Sequence, residues 1–62
     1  MTRERSIRLV DVAGQVKHRT KKGVLFYDGI REVWLPRSLV EWHEEDGVMV
    51  MPEWLATEKE LI

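Results

Sequence analysis

The chain has 62 residues and no cysteine, so it has room for one domain, residues 1–62, and for no disulfide or thiolate metal site. Hydrophobic residues make up 44% and charged residues 34%, a balance typical of a folded domain rather than a disordered one. No apolar run approaches the roughly 20 residues that span a bilayer, and the charged N-terminus lacks the apolar segment of a signal peptide. We therefore predict a cytoplasmic protein that makes no membrane contact.

The net charge of −1 conceals a marked asymmetry along the chain. Residues 1–23 carry seven Lys or Arg against two Asp or Glu, whereas residues 24–62 carry three against nine. This split gives the folded protein one basic and one acidic side if the two halves stay apart. If sequential strands interleave the halves, the two fields cancel, and the sequence leaves both outcomes open.

The chain is strand-like from residue 7 to residue 51. Residues 7–12 are rich in β-branched side chains and residues 15–20 stay extended, with Gly14 between them as a bulge that bends one long strand. Further strands are predicted at residues 24–27, 30–35, 39–44 and 48–51. Asp-Gly pairs at residues 28–29 and 46–47 predict hairpins with type I′ turns.

The period changes at Pro52. Trp54, Leu55, Leu61 and Ile62 fall at i, i+1, i+7 and i+8, which predicts a helix over about residues 52–61 with Trp54 in the core. Five strands and a terminal helix predict a mostly β (α+β) domain. We expect a small SH3-like, partly open five-stranded antiparallel barrel or meander. An OB-like barrel, or a three-stranded sheet with a helix, is the alternative.

The basic segment is the most suggestive feature for binding. It presents four cations and a histidine within six residues: Lys17, His18, Arg19, Lys21 and Lys22. Such a loop attracts phosphate backbones through counterion release, and nearby aromatic side chains could stack on bases. The alternative is an ordinary lysine-rich turn that keeps a hairpin soluble and blunts edge pairing.

Aromatic and acidic residues supply the other candidate contacts. Trp34 lies opposite Val33 and Leu35 on its strand, so it is the best candidate for an exposed aromatic anchor, and Arg37 joins it as a candidate binding residue. Trp42 alternates with charged neighbours, which predicts partial burial. An acidic run, Glu41, Glu44, Glu45 and Asp46, could mimic nucleic acid on a basic groove. That hypothesis requires the run to be contiguous with the acids of the predicted helix; a solvated hairpin tip is the simpler alternative.

No residue set predicts catalysis. His18 and His43 fit no metal-ligand spacing, and Ser38 is typical of a turn rather than of a nucleophile held by a base. The sequence predicts a protein that is not an enzyme, with no catalytic residue, no metal and no cofactor.

Two motifs carry a family resemblance. Residues 34–38 read Trp-Leu-Pro-Arg-Ser, and residues 51–62 read Met-Pro-Glu-Trp-Leu-Ala-Thr-Glu-Lys-Glu-Leu-Ile. The stretch 22–62 resembles small phage and prophage proteins of uncharacterised function that share a Trp-Leu-Pro-Lys/Arg-Ser core and this tail. Glu60 stands where the group has glycine.

The resemblance implies origin more than activity. By analogy with small phage accessory proteins, we expect a phage-derived protein that engages a host protein or ribonucleoprotein complex and inhibits a bacterial defence, such as a CRISPR system. The alternative is a nucleic-acid-binding module that uses the basic hairpin at residues 17–22 and exposed aromatics. A homodimer formed through a sheet edge or through Trp34 is a third possibility.

Overall fold

The computed structural model describes residues 8–62, so the predicted start of the first strand at Ile7 lies outside the described residues, as do Arg3 and Arg5 of the basic half. Six strands and one helix follow in order: β1 (Leu9–Ala13), β2 (Gln15–Arg19), β3 (Gly23–Tyr27), β4 (Glu32–Pro36), β5 (Glu41–His43), β6 (Val48–Pro52) and α1 (Glu53–Glu58). A 3-10 turn, Arg37–Leu39, connects β4 to β5. The prediction of a mostly β domain with a short C-terminal helix is confirmed.

The strands form two antiparallel sheets, in the orders β1-β6-β5 and β2-β3-β4. The chain passes from one sheet to the other at Gly14, between β1 and β2. A Cβ there would stand 2.3 Å from the carbonyl oxygen of Tyr27 and 2.5 Å from Cζ of Phe26, so β3 approaches too closely for any other residue. The prediction of one long strand with a bulge at Gly14 is wrong, because the run is divided there into β1 and β2 of different sheets, which makes six strands where five were expected. Across residues 8–62 the two sheets do not close into a barrel.

The core lies between the inner faces of the two sheets. Phe26, Leu35, Met49 and Met51 are fully buried there. They occupy alternate positions on β3, β4 and β6, because successive side chains of a strand point to opposite faces. Trp42 is half-buried, as predicted, and its ring meets Phe26 edge-on with 6.3 Å between centroids.

Both Asp-Gly hairpins form, but with longer turns than predicted. The loops at residues 28–31 and 44–47 each have four residues, and positive φ occurs only at Gly29 (101°) and Gly47 (65°). A type I′ turn needs positive φ at both central residues, so that prediction is wrong. In the first loop, Asp28 Oδ1 instead accepts hydrogen bonds from the backbone N–H groups of Ile30 and Arg31, both at 2.9 Å.

The helix is shorter than predicted, ending at Glu58 rather than near residue 61. Glu60 adopts φ +62°, and the N–H groups of Glu60 and Leu61 donate to the carbonyls of Thr57 and Ala56. These two bonds form a Schellman motif, which ends a helix and usually has glycine at the left-handed position. Glu60 holds that position here, where the resemblance led us to expect glycine.

The prediction that Trp54 packs into the core is wrong, since 54% of its side chain is exposed. Neighbouring helical residues point about 100° apart, so a six-residue helix buries only a narrow stripe. Leu55 and Ala56 fill that stripe.

Candidate functional site

The outer face of the sheet β2-β3-β4 carries an exposed aromatic surface. Strand pairing aligns His18, Leu25 and Trp34 in one row across the three strands. Their neighbours Val24 and Leu35 point inward and are buried, so this row must face outward. Trp34 is 48% exposed, which agrees with its predicted role as an exposed aromatic. The His18 ring stands edge-on to it, with centroids 6.2 Å apart.

A β-bulge adds a cation to this surface. Val16 pairs with Phe26 and His18 pairs with Leu25, so Lys17 is the extra residue on β2. Its Nζ lies 5.3 Å from the centroid of the Tyr27 ring, a cation–π contact. We call the set Lys17, His18, Leu25, Tyr27 and Trp34 the aromatic face.

Gly23 makes room for Trp34. A Cβ on Gly23 would stand 3.2 Å from Cε3 of the indole ring, so the ring lies directly against the backbone of β3. This contact supports the indole against the sheet, while about half of the residue stays exposed to solvent. A supported and half-exposed ring is the arrangement on which a base can stack.

The turn between β2 and β3 presents the lysines next to this face. We call residues 20–23 the basic tip. Its Thr20 N–H donates to the carbonyl of Gly23 at 2.8 Å, and the Gly23 N–H donates to Thr20 Oγ1 at 3.0 Å. Lys21 and Lys22 therefore occupy the end of the hairpin, where both are exposed.

Arg37 fastens the basic tip to the rest of the protein. Its backbone N–H donates to the carbonyl of Lys22 at 2.9 Å, and its Nη1 donates to the carbonyl of Thr20 at 3.0 Å. Because Arg37 directly follows β4, the clamp ties the tip to the strand that bears Trp34. The structure thus brings together the predicted site residues Lys17, His18, Arg19, Lys21, Lys22, Trp34 and Arg37.

The predicted acidic residues lie elsewhere. Glu44, Glu45 and Asp46 are exposed in the turn between β5 and β6, residues 44–47, which we call the acidic tip. Its Gly47 carbonyl accepts a hydrogen bond from the Gly14 N–H at 3.1 Å, which places this tip beside the start of β2. Thr20 follows Gly14 by six residues at about 3.3 Å each, so the two tips are separated by roughly 20 Å.

Arginines interrupt the acidic surface that a nucleic-acid mimic would need. Glu53 pairs with Arg8 at 3.6 Å and Glu60 pairs with Arg31 at 2.9 Å. Glu53 also lies at the end of β6 opposite the acidic tip. Glu41 is on β5, 3.6 Å from Nε2 of His43, and does not belong to the acidic tip.

Arg19, Arg37 and Glu41 meet around a cavity of about 320 Å³ that the sequence did not predict. Val24, Val40, Trp42 and Met49 complete its lining. We call it the arginine cavity. Arg19 reaches it because β2 pairing aligns Arg19 with Val24, whose side chain points inward. Only the strand register reveals this placement, since residue spacing alone does not fix which face Arg19 occupies.

Few groups outside these surfaces carry chemistry. Hydrogen bonds from the backbone N–H groups of Arg31 and Ile30 lower the pKa of the Asp28 carboxyl. Ser38 lies in the 3-10 turn, as a turn residue should. Within residues 8–62, no three His, Asp or Glu side chains converge as metal ligands.

Comparisons with known proteins identify no relative. No protein-family model matches the chain, and neither a curated protein nor a solved structure is significantly similar to it. In the part of the chain that the structure describes, no helix has the length and apolar character needed to cross a membrane.

Proposed function

We propose that this protein is a non-enzymatic binding module that holds single-stranded nucleic acid on its aromatic face. The observation that carries the proposal is the position of Trp34, half-exposed on an open sheet, with Tyr27 and Lys17 beside it and the basic tip at the end of the same strands. Aromatic rings and cations on one surface are what a flexible phosphate chain with unstacked bases requires.

Stacking supplies one part of the expected binding energy. An aromatic platform contributes about 1–3 kcal/mol per base and tolerates every base, since each base has a π-face. Trp34 and Tyr27 lie on neighbouring strands, β4 and β3, and in adjacent rows of the same face. Successive bases of one strand could therefore occupy the two rings.

Electrostatics supplies the other part. Lys17, Lys21 and Lys22 surround the aromatic face, and Arg37 adds a fourth cation at its end. Each phosphate neutralised in a single strand changes the slope of log K against log salt by about −0.7. The acidic tip lies roughly 20 Å from the basic tip, more than two Debye lengths at physiological salt, so it weakens the attraction of Lys21 and Lys22 little.

The second candidate is a protein partner. Trp34 has the exposure and the central position of an aromatic anchor, and the same face could dock on a host protein or ribonucleoprotein complex. Under this second candidate the protein is of phage origin and inhibits a bacterial defence. Both statements depend on the resemblance of residues 22–62 to small phage and prophage proteins. The SH3-like description likewise stays a proposal, supported by two antiparallel three-stranded sheets that consecutive strands β1 and β2 connect.

The test is fluorescence anisotropy with labelled single- and double-stranded DNA and RNA at low and near-physiological salt. We expect single strands to bind more tightly than duplexes, with an affinity that falls steeply as salt rises. Trp34→Ala should weaken single-strand binding on the order of tenfold or more, because it removes one stacking platform.

Trp54→Ala is the matched control, because Trp54 is an equally exposed tryptophan on the helix. It should leave the affinity unchanged. If no nucleic acid binds even at low salt, the proposal is wrong, and capture of a host complex that depends on Trp34 would support the protein partner. Measuring the mass of the protein over a dilution series identifies any homodimer.

A further inference from the structure

The arginine cavity opens at the same end of the molecule as the basic tip. Arg37, which clamps the tip through the carbonyls of Thr20 and Lys22, also lines the cavity. Arg19 lines it from β2, one residue before the tip begins. A nucleic-acid strand that follows the tip therefore arrives at the mouth of this cavity.

Two guanidinium groups and the carboxylate of Glu41 line the cavity, so its cations outnumber its single anion. Neither Arg19 nor Arg37 makes an ion pair with a carboxylate of residues 8–62. Arg37 uses Nη1 for the carbonyl of Thr20, which orients the guanidinium and leaves its other N–H groups available. Two arginines that line one cavity suit a ligand group with two negative charges and several acceptor oxygens.

The remaining lining is apolar and partly aromatic. Val24 and Met49 are buried beneath the cavity, and the half-buried Trp42 presents part of its ring to it. The Phe26 ring supports Trp42 from inside the core. A volume of about 320 Å³ is at the lower end of the range for small-molecule sites, enough for one nucleotide rather than a longer segment.

We infer that the arginine cavity binds the terminal phosphate of a nucleic-acid strand, with the phosphate between Arg19 and Arg37 and the terminal base against Trp42. A terminal phosphomonoester carries about −1.5 to −2 charges at neutral pH, whereas an internal phosphodiester carries one, so paired arginines favour the end of a strand. Glu41, at the rim, accepts a hydrogen bond from an amino group of the base. This inference rests on the proposed function and specifies which part of the ligand is recognised.

The experiment compares short single strands of one sequence that differ only at the end: a 5′-phosphate, a 3′-phosphate, or hydroxyl groups at both ends. The fluorophore is attached away from the varied end, and anisotropy gives each affinity. We expect one of the two terminal phosphates to tighten binding roughly tenfold over the hydroxyl strand. The corresponding mononucleotide, tested alone, distinguishes a free nucleotide from a strand end as the ligand of the cavity.

Arg19→Gln and Arg37→Gln should each abolish the preference for the phosphate. Arg19→Gln is the decisive variant, because Arg37 also holds the basic tip in place. Arg31→Gln is the matched control, since Arg31 is paired with Glu60 away from the cavity, and it should preserve the preference.

The outcomes separate the two proposals. Equal affinity for all three strands, or a preference that survives Arg19→Gln, overturns the inference and leaves the proposed function intact. If no strand binds, the proposed function fails, and the mononucleotide decides the inference. Saturable binding that Arg19→Gln removes supports a nucleotide site, and no binding overturns it.

Discussion

The two charged hairpin tips of this protein are built alike and differ in what surrounds them. The basic tip ends a hairpin whose outer face carries Trp34 and Tyr27, and Arg37 fastens it by two hydrogen bonds. The acidic tip ends a hairpin without Trp or Tyr on its outer face, where Glu41 and His43 pair with Val50 and Val48. Among the described backbone hydrogen bonds outside the strands, a single one, from the Gly14 N–H to the Gly47 carbonyl, joins the acidic tip to the start of the other sheet.

The charges of the basic tip lie next to a candidate binding surface, whereas those of the acidic tip only keep an exposed turn soluble. A cluster of like charges is by itself ordinary on a hairpin tip. The basic tip acquires a functional interpretation because a supported, exposed indole ring and an arginine-lined cavity adjoin it. In the part of the chain that the structure describes, the acidic tip has no exposed indole ring beside it, although Trp42 and Met49 of its hairpin also line the arginine cavity.

The largest expected effect comes from Gly14→Ala, which disturbs the junction between the two hairpins. The new Cβ would collide with the carbonyl of Tyr27 and the ring of Phe26, and neither the strand backbone nor a fully buried ring can move freely. We expect a loss of about 1–3 kcal/mol in the free energy of unfolding, much of what a domain of this size possesses. Urea denaturation measures it. Ala13→Gly, one residue away, is the control, and an unchanged midpoint for Gly14→Ala would refute the close approach.

Charge inversion at each tip tests the comparison directly. Lys21→Glu with Lys22→Glu should abolish single-strand binding near physiological salt. Glu44→Lys with Glu45→Lys should preserve or slightly strengthen it. At low salt, losing two cations should reduce the slope of log K against log salt by about 1.4. If inverting the acidic tip proves as damaging as inverting the basic one, the two tips are not functionally different.

The smallest effect is expected at the third hairpin turn, residues 28–31. There the Asp28 carboxylate accepts hydrogen bonds from the turn's own backbone. Hydrogen bonds from the Arg31 and Ile30 N–H groups lower the pKa of Asp28 from its ordinary value of 3.8. A lowered folded-state pKa contributes stability above the unfolded pKa, and this contribution is lost as pH falls through the folded pKa.

Thermal unfolding of Asp28→Asn as a function of pH measures that contribution. The Tm of the wild type should exceed that of Asp28→Asn by a small, constant margin at neutral pH, and the margin should shrink below about pH 4. A margin that does not change with pH would mean that the charge of Asp28 does not stabilise the turn.

Alternation and turn residues predicted most of this fold. The strand positions followed from β-branched runs between glycine-containing turns, and the exposure of Trp34 followed from its place opposite Val33 and Leu35. The special role of Gly14 was predictable only in part, since glycine within an extended run indicates either a bulge or close backbone approach, and the structure has the second.

The predictions failed where the packing of one element on another decides which side chains are buried. Trp54 and Leu55 are both apolar and adjacent, and only the docking of α1 determines that Leu55 is buried and Trp54 exposed. The bulge at Lys17 and the inward position of Arg19 depend on strand register. The arginine cavity is lined by residues 19, 37 and 42, which belong to three separate segments, so no local sequence pattern predicts it.

Met51 is fully buried, so its oxidation would report that the protein has unfolded transiently. Met49 is fully buried in the folded state as well, but it also lines the arginine cavity, so it is Met51 that peroxide reaches only in chains that have transiently unfolded. Sulfoxide is polar and fits poorly in a core, so a chain oxidised while open cannot fully repack. Until a reductase restores the thioether, an oxidised chain stays destabilised, so the lifetime of the protein under oxidative conditions depends on how rarely its two sheets separate.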